Sequence, residues 1–136
     1  MKKLSLVLTI ATVLFLGVTG LSAQSIHYAV RATVPFSFSV NGTTMPAGDY
    51  LITEFNEKVI RIQGEENGKS TLALTDAVGG GNPVDPKLVF RQYDGRYFLA
   101  QVYMNYSATG MGLSKSAEEA KLQSQLTPQV TIIAGK

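Results

Sequence analysis

The chain is predicted to be mainly β, an antiparallel β-sandwich or flattened β-barrel of seven or eight strands. One short helix over about residues 116–126 is expected near the C-terminus, and a signal-peptide helix at the N-terminus. Three observations lead there. Apolar side chains recur at every second position in run after run, turn residues recur about every 8 to 12 positions, and only one stretch after the N-terminal segment has a helical start signal.

The clearest alternation is VRATVPFSFSV at residues 30–40, where Val30, Ala32, Val34, Phe36, Phe38 and Val40 fall on one side. Successive strand residues point to opposite faces, so this reads as one strand with an apolar side, and Pro35 marks an edge or a bulge. Asn41-Gly42 is the preferred pair for a two-residue type I′ turn. Both formal glycosylation sequons, Asn41-Gly42-Thr43 and Asn105-Tyr106-Ser107, read as turn chemistry. Pro46-Ala47-Gly48 then reverses the chain, and Tyr50 follows at the spacing of a tyrosine corner, whose phenol bonds back to upstream backbone.

Residues 50–55, 59–63 and 69–75 read as three further strands, with Ile60 and Ile62, then Leu72 and Leu74, keeping the two-residue period. Residues 76–86, DAVGGGNPVDP, are expected to be a long loop. A hairpin follows over 87–92 and 96–104. A three-residue loop with Gly95 left-handed would pair Phe90 with Phe98 and Leu88 with Ala100, gathering Leu88, Phe90, Phe98, Ala100, Val102 and Met104 on one face. That register is the one expected. Its opposite face carries Arg91, Tyr93, Tyr97 and Tyr103, a candidate platform for a sugar ring or a partner protein, because aromatic rings offer rigid contact area. The competing reading has the helix or the last strand covering that face and burying Leu122, Leu126 and Ile132. SATGMGLSKS at 107–116 reads as a loop, and Ser116 with Glu119 has the spacing of a capping box. Thr127-Pro128 stops the helix, and residues 130–133 form the final strand.

Lys2 and Lys3, an apolar run to about Val18, and then Thr19, Gly20, Ser22 and Ala23 have the order of a secretory signal peptide cut after Ala23. The run is shorter than the roughly 20 residues of a spanning helix, and the chain has no cysteine to carry a lipid. Contact with a membrane is therefore expected only through this leader before cleavage. Residues 24–136 form one β domain on this reading. The cut removes two of the 12 basic residues and none of the 10 acidic ones, so the remaining chain is neutral. A neutral domain lacks the basic footprint that nucleic-acid binding requires. Without cysteine, disulfides, thiolate metal sites and thiol catalysis are excluded.

Little else points to chemistry. Gly64 to Ser70 imitates a phosphate-binding loop, but it has three residues between its glycines where four are needed and it leads into a strand, so no nucleotide is expected. His27 is the sole histidine, which leaves a serine nucleophile without a base. Most of the acids sit at turns or strand ends. Asp76, Asn82 and Asp85 do not have calcium-loop spacing, so neither a metal nor a cofactor is expected.

PFSFSV at 35–40, MPAGDY at 45–50 and YFLAQVYM at 97–104 together resemble a group of small, uncharacterised, signal-peptide-bearing bacterial β-proteins. The group's pattern runs Pro-Phe-x-Phe-x-Val, Leu-Pro-Ala-Gly-x-Tyr, Tyr-Phe-Leu and a Ser-x-x-Glu helix start, with Met45 here in place of leucine. The resemblance implies secretion and a β fold and carries over no catalytic residue. The Pro-Gly-x-Tyr turn is also similar, in part, to prealbumin-like modules.

The expected function is that of an exported, noncatalytic periplasmic, envelope or extracellular protein, which binds an envelope protein or small ligand or serves as a structural partner. The alternative is a β-barrel carrier of an apolar ligand, although Phe36, Phe38, Phe55, Phe90 and Phe98 are large enough to fill a small barrel. A hydrolase is the third reading. Expression with the leader in a bacterial host is expected to yield a chain starting at Gln24, read by intact mass; retention of residues 1–23 would sink the cleaved-leader reading.

Overall fold

The computed structural model describes residues 28–136; the expected signal peptide over 1–23 and His27 lie outside the described residues. Ten strands and one helix follow in order. They are β1 (Ala29–Val34), β2 (Phe38–Val40), β3 (Thr43–Met45), β4 (Gly48–Asn56), β5 (Val59–Gly64), β6 (Ser70–Gly79), β7 (Lys87–Tyr93), β8 (Arg96–Tyr103), β9 (Thr109–Leu113), α1 (Ala117–Gln123) and β10 (Gln129–Ala134). None of the helices among the described residues is long and apolar enough to cross a membrane.

The β-sandwich or flattened-barrel architecture holds, with more strands than expected and one parallel pair. The first sheet runs β1-β4-β5-β6, all antiparallel. Strand β6 belongs to both sheets: Ser70 to Leu74 pair with β5, and Thr75 to Gly79 pair with β9. The second sheet continues β9-β8-β7-β10. Its far edge returns to the first sheet, because the Arg31 N–H donates to the Lys136 carbonyl at 3.2 Å and the Lys136 N–H donates to the Arg31 carbonyl at 2.9 Å. Such an exchange of both bonds defines an antiparallel pair.

The strand expected over 30–40 is divided at Pro35. A proline has no N–H to give a ladder, and here the chain leaves β4 and crosses to the second sheet. There β2 lies parallel to β8, with Phe38 opposite Tyr97, along the part of β8 that β9 does not use. The alternation survives the crossing, since Val30, Val34, Phe38 and Val40 are all buried. Asn41 (φ 48°) and Gly42 (φ 84°) make the expected tight turn between β2 and β3.

Two expected loops are partly strand. Residues 76–79 extend β6, and residues 109–113 form β9 paired with it. The glycines of β9 are there for space: a Cβ at Gly110 would lie 2.7 Å from the Tyr103 ring. Glycine inside a strand marks such a close approach.

The interior is filled by aromatic rings. Phe38 packs edge-on against Tyr50 at 5.1 Å and Phe90 at 5.3 Å, and Phe36 packs edge-on against Phe90 at 5.0 Å. Two expected fillers are elsewhere, since Phe55 is 54% exposed and Phe98 lies on the outer side of β8. Tyr50 is a tyrosine corner as expected: its hydroxyl donates to the Pro46 carbonyl and accepts from Asn67 Nδ2 at 3.1 Å. Asn67 Oδ1 in turn accepts from the Lys69 N–H at 2.9 Å, so the glycine-flanked segment is a structured hairpin turn.

Replacing Tyr50 with Phe would leave a carbonyl and an amide unpaired. The expected loss is about 1–3 kcal/mol, read from the urea midpoint of Tyr50→Phe; an unchanged midpoint would show that the corner carries no stability.

Candidate functional site

The hairpin does not have the expected register. Asp94 (φ 47°) and Gly95 (φ 80°) form a two-residue turn that pairs Tyr93 with Arg96, and the bulge falls at Ala100, opposite Val89 and Phe90. Phe90 therefore pairs with Leu99 rather than Phe98. Aspartate tolerates the left-handed region, so the turn closes without a third residue. The one-face criterion had no power here, because both faces of β8 carry buried apolar side chains.

This register separates the four platform residues. Tyr97 packs against the core and stacks on Phe36 at 3.7 Å. Tyr93 is completely buried on the outer side. Tyr103 lies over Gly110, with the Lys87 ammonium 5.1 Å from its ring. Arg91 lies beside Tyr93 and reaches the helix. The four do not form one exposed face.

What covers Arg91 and Tyr93 is helix α1, through polar contacts. Glu119 is the only fully buried helix residue, while Leu122 is half-buried and Leu126 and Ile132 stay exposed. Arg91 Nε donates to Glu119 Oε2 at 2.6 Å, Arg91 Nη2 to Oε1 at 3.2 Å, and the Tyr93 hydroxyl to Oε2 at 3.2 Å. Glu118 pairs with Arg96 at the next position. Ser116 caps the helix by accepting from the Glu119 N–H at 3.2 Å, but the Glu119 carboxylate turns into the sheet instead of completing the capping box. Burial, then the Glu119 carboxylate, push the Tyr93 phenol above its ordinary pKa, against the opposing pull of Arg91. Burial likewise raises Tyr50, offset in part by Asn67. These groups are committed to structure.

Open space lies elsewhere. A half-open cleft of about 480 Å³ sits at one end of the barrel, between the start of β1, the end of β4 and the β8–β9 connection. Val102, Met104 and Met111 form its floor, and Tyr28, Glu54 and Tyr106 stand on its rim. Tyr50 and Ile52 face the interior, and Glu54, opposite buried Ile60, continues that inward series to the mouth. A bulge follows between Glu54 and Asn56. The connection turns through Asn105 (φ 50°) and Tyr106 (φ 49°). It is tied down where the Val84 N–H donates to the Ser107 carbonyl at 3.2 Å and the Thr109 N–H to Ser107 Oγ at 3.1 Å.

Sequence reasoning missed this cleft, since Tyr28 precedes the first strand that the alternation marks and Asn105-Tyr106 reads as ordinary turn chemistry. The usable signal was a tyrosine directly after asparagine, where a tight turn favours glycine. Among the described residues, no group of three or more histidine, cysteine, aspartate or glutamate side chains is placed to hold a metal. Asp76 of the acidic loop is paired with Gly112 within β6 and β9. No family model, curated protein or solved structure matches the chain.

Removing Arg91 leaves the Glu119 carboxylate buried without a counter-ion, so Arg91→Ala is expected to cost about 3–5 kcal/mol. The double variant Arg91→Leu with Glu119→Leu should recover much of that; a double variant as unstable as the single one would refute the pairing argument. Alkali supplies a second check. Tyr50 and Tyr93 have raised folded-state pKa values, so their protons leave the unfolded chain first. Stability is therefore flat below the ordinary tyrosine value of about 10 and falls as pH rises through the folded values. Urea midpoints from pH 8 upward should show the fall, and Tyr93→Phe should reduce it.

Proposed function

We propose that this is an exported, noncatalytic binding protein of the periplasm or cell envelope, and that its ligand site is the cleft at the open end of the barrel. One observation carries the reading. Tyr106 holds a left-handed backbone conformation that costs an ordinary residue about 1–2 kcal/mol, and its ring is 70% exposed at the cleft rim. Strain of this kind is kept where a site uses it, and here it aims an aromatic ring at open volume. The leader pattern over residues 1–23 supports export. The filled interior supports a site at the barrel end over a carrier cavity at its centre.

A partner protein is the second reading, favoured by a different surface. Phe55, Leu72 and Leu74 are each at least half exposed on the outer side of β4 and β6. The Arg61 guanidinium of β5 lies between them, 5.7 Å from the Phe55 ring. An apolar cluster of this kind is a common protein-contact surface.

Native mass spectrometry of the exported protein, purified gently from its own host, should show an added mass of small-molecule size. Tyr106→Asn should remove that mass while leaving stability equal or higher, because asparagine tolerates the left-handed region. A bare wild-type chain would move the partner reading to the front, and a Tyr106→Asn variant that unfolds would make the ring structural.

A further inference from the structure

We propose that the ligand of the cleft is a small organic cation, an amine or quaternary ammonium group on a short apolar body; this rests on the reading of the cleft as the ligand site. The charge balance comes first. Of the described residues that line the cleft, Glu54 alone carries a formal charge, and no lysine, arginine or histidine is among them. Glu54 is half-buried, and among the described residues its carboxylate has neither an ion pair nor a hydrogen-bond partner. Glu119, a fully buried carboxylate, is handled in the opposite way, holding Arg91 and Tyr93. A barrel strand that turns a lone carboxylate inward leaves it partly desolvated and uncompensated. An anionic ligand would add repulsion there, and a neutral one would deepen the desolvation. A cation compensates it.

The rest of the lining fits the same class. Tyr28 and Tyr106 present exposed rings at the cleft, and the faces of aromatic rings attract cations. The floor of Met104 and Met111 is polarizable and adapts to an irregular apolar body. At about 480 Å³ the space is within the range for one small molecule. The turn through Asn105 and Tyr106 is anchored at Ser107, so the rim is formed before the ligand arrives.

The test uses three probes that share a phenyl body and differ in charge: phenethylammonium, 2-phenylethanol and phenylacetate. Each is titrated into the exported protein, with the methyl resonances of Met104 and Met111 reporting occupancy. Phenethylammonium should bind at least about tenfold more tightly than the alcohol, a ratio equivalent to about 1.4 kcal/mol, and phenylacetate most weakly. Glu54→Gln should remove the difference between cation and alcohol, with the amide spectrum confirming the fold. If the alcohol binds as tightly as the cation and both move the methionine methyls, the cleft stands as a site and the cation assignment is overturned. If none of the three moves those methyls, the site reading falls as well.

Discussion

The packing of aromatic rings between the two sheets is the interaction on which the rest of the structure depends. Phe38 sits between Tyr50 of the first sheet and Phe90 of the second, and Phe36 bridges Phe90 to Tyr97. With no cysteine in the chain, burial of these rings and the aliphatic side chains around them takes the place of covalent cross-links. To deliver Phe36 and Phe38 the chain must leave β4 and cross to β8, and this is the break that Pro35 makes. The cluster also determines where free volume can exist. A filled centre leaves open volume at the barrel end, where Val102, Met104 and Met111 floor the cleft.

Two glutamates show how the same side chain is used in opposite ways. Helix α1 is seven residues long, too short to persist on propensity alone. Its hold on the sheet comes from Glu119, whose two carboxylate oxygens take both Arg91 and Tyr93 in a buried site. Removal of Glu119 would leave both Arg91 and Tyr93 without this partner. Glu54 faces inward at the mouth of the barrel with no such partners among the described residues, next to exposed rings and a strained turn. A paired buried carboxylate locks structure, and an unpaired one at an opening is available to a ligand.

The elements that were legible in the sequence share a local cause. Asn41-Gly42 turns as its dipeptide chemistry requires, Tyr50 reaches the Pro46 carbonyl four residues back, and Ser116 caps the helix three residues ahead. Each depends on neighbours within one turn of chain. The errors share a non-local cause. Residues 109–113 looked like loop because glycine weakens a strand, yet Gly110 exists to admit the Tyr103 ring from the adjacent strand. The hairpin register was chosen by sorting apolar residues to a single face, a rule that fails once α1 covers the other face and makes Phe98 and Tyr93 buried there too.

The sequence by itself determined the β class, the turns, the corner tyrosine and the helix start, because period-two patterning and short-range backbone chemistry are written in consecutive residues. Only the tertiary structure decided which tyrosines share a surface. It sent Tyr97 to the core, Tyr93 beneath Glu119 and Tyr106 to the rim of a cleft shared with Tyr28 and Glu54, residues far apart in the chain. That outcome rests on strand register, on a bulge that shifts side chains from one face to the other, and on the return of Lys136 to Arg31. These are properties of pairings between distant segments, which the order of neighbouring residues does not encode.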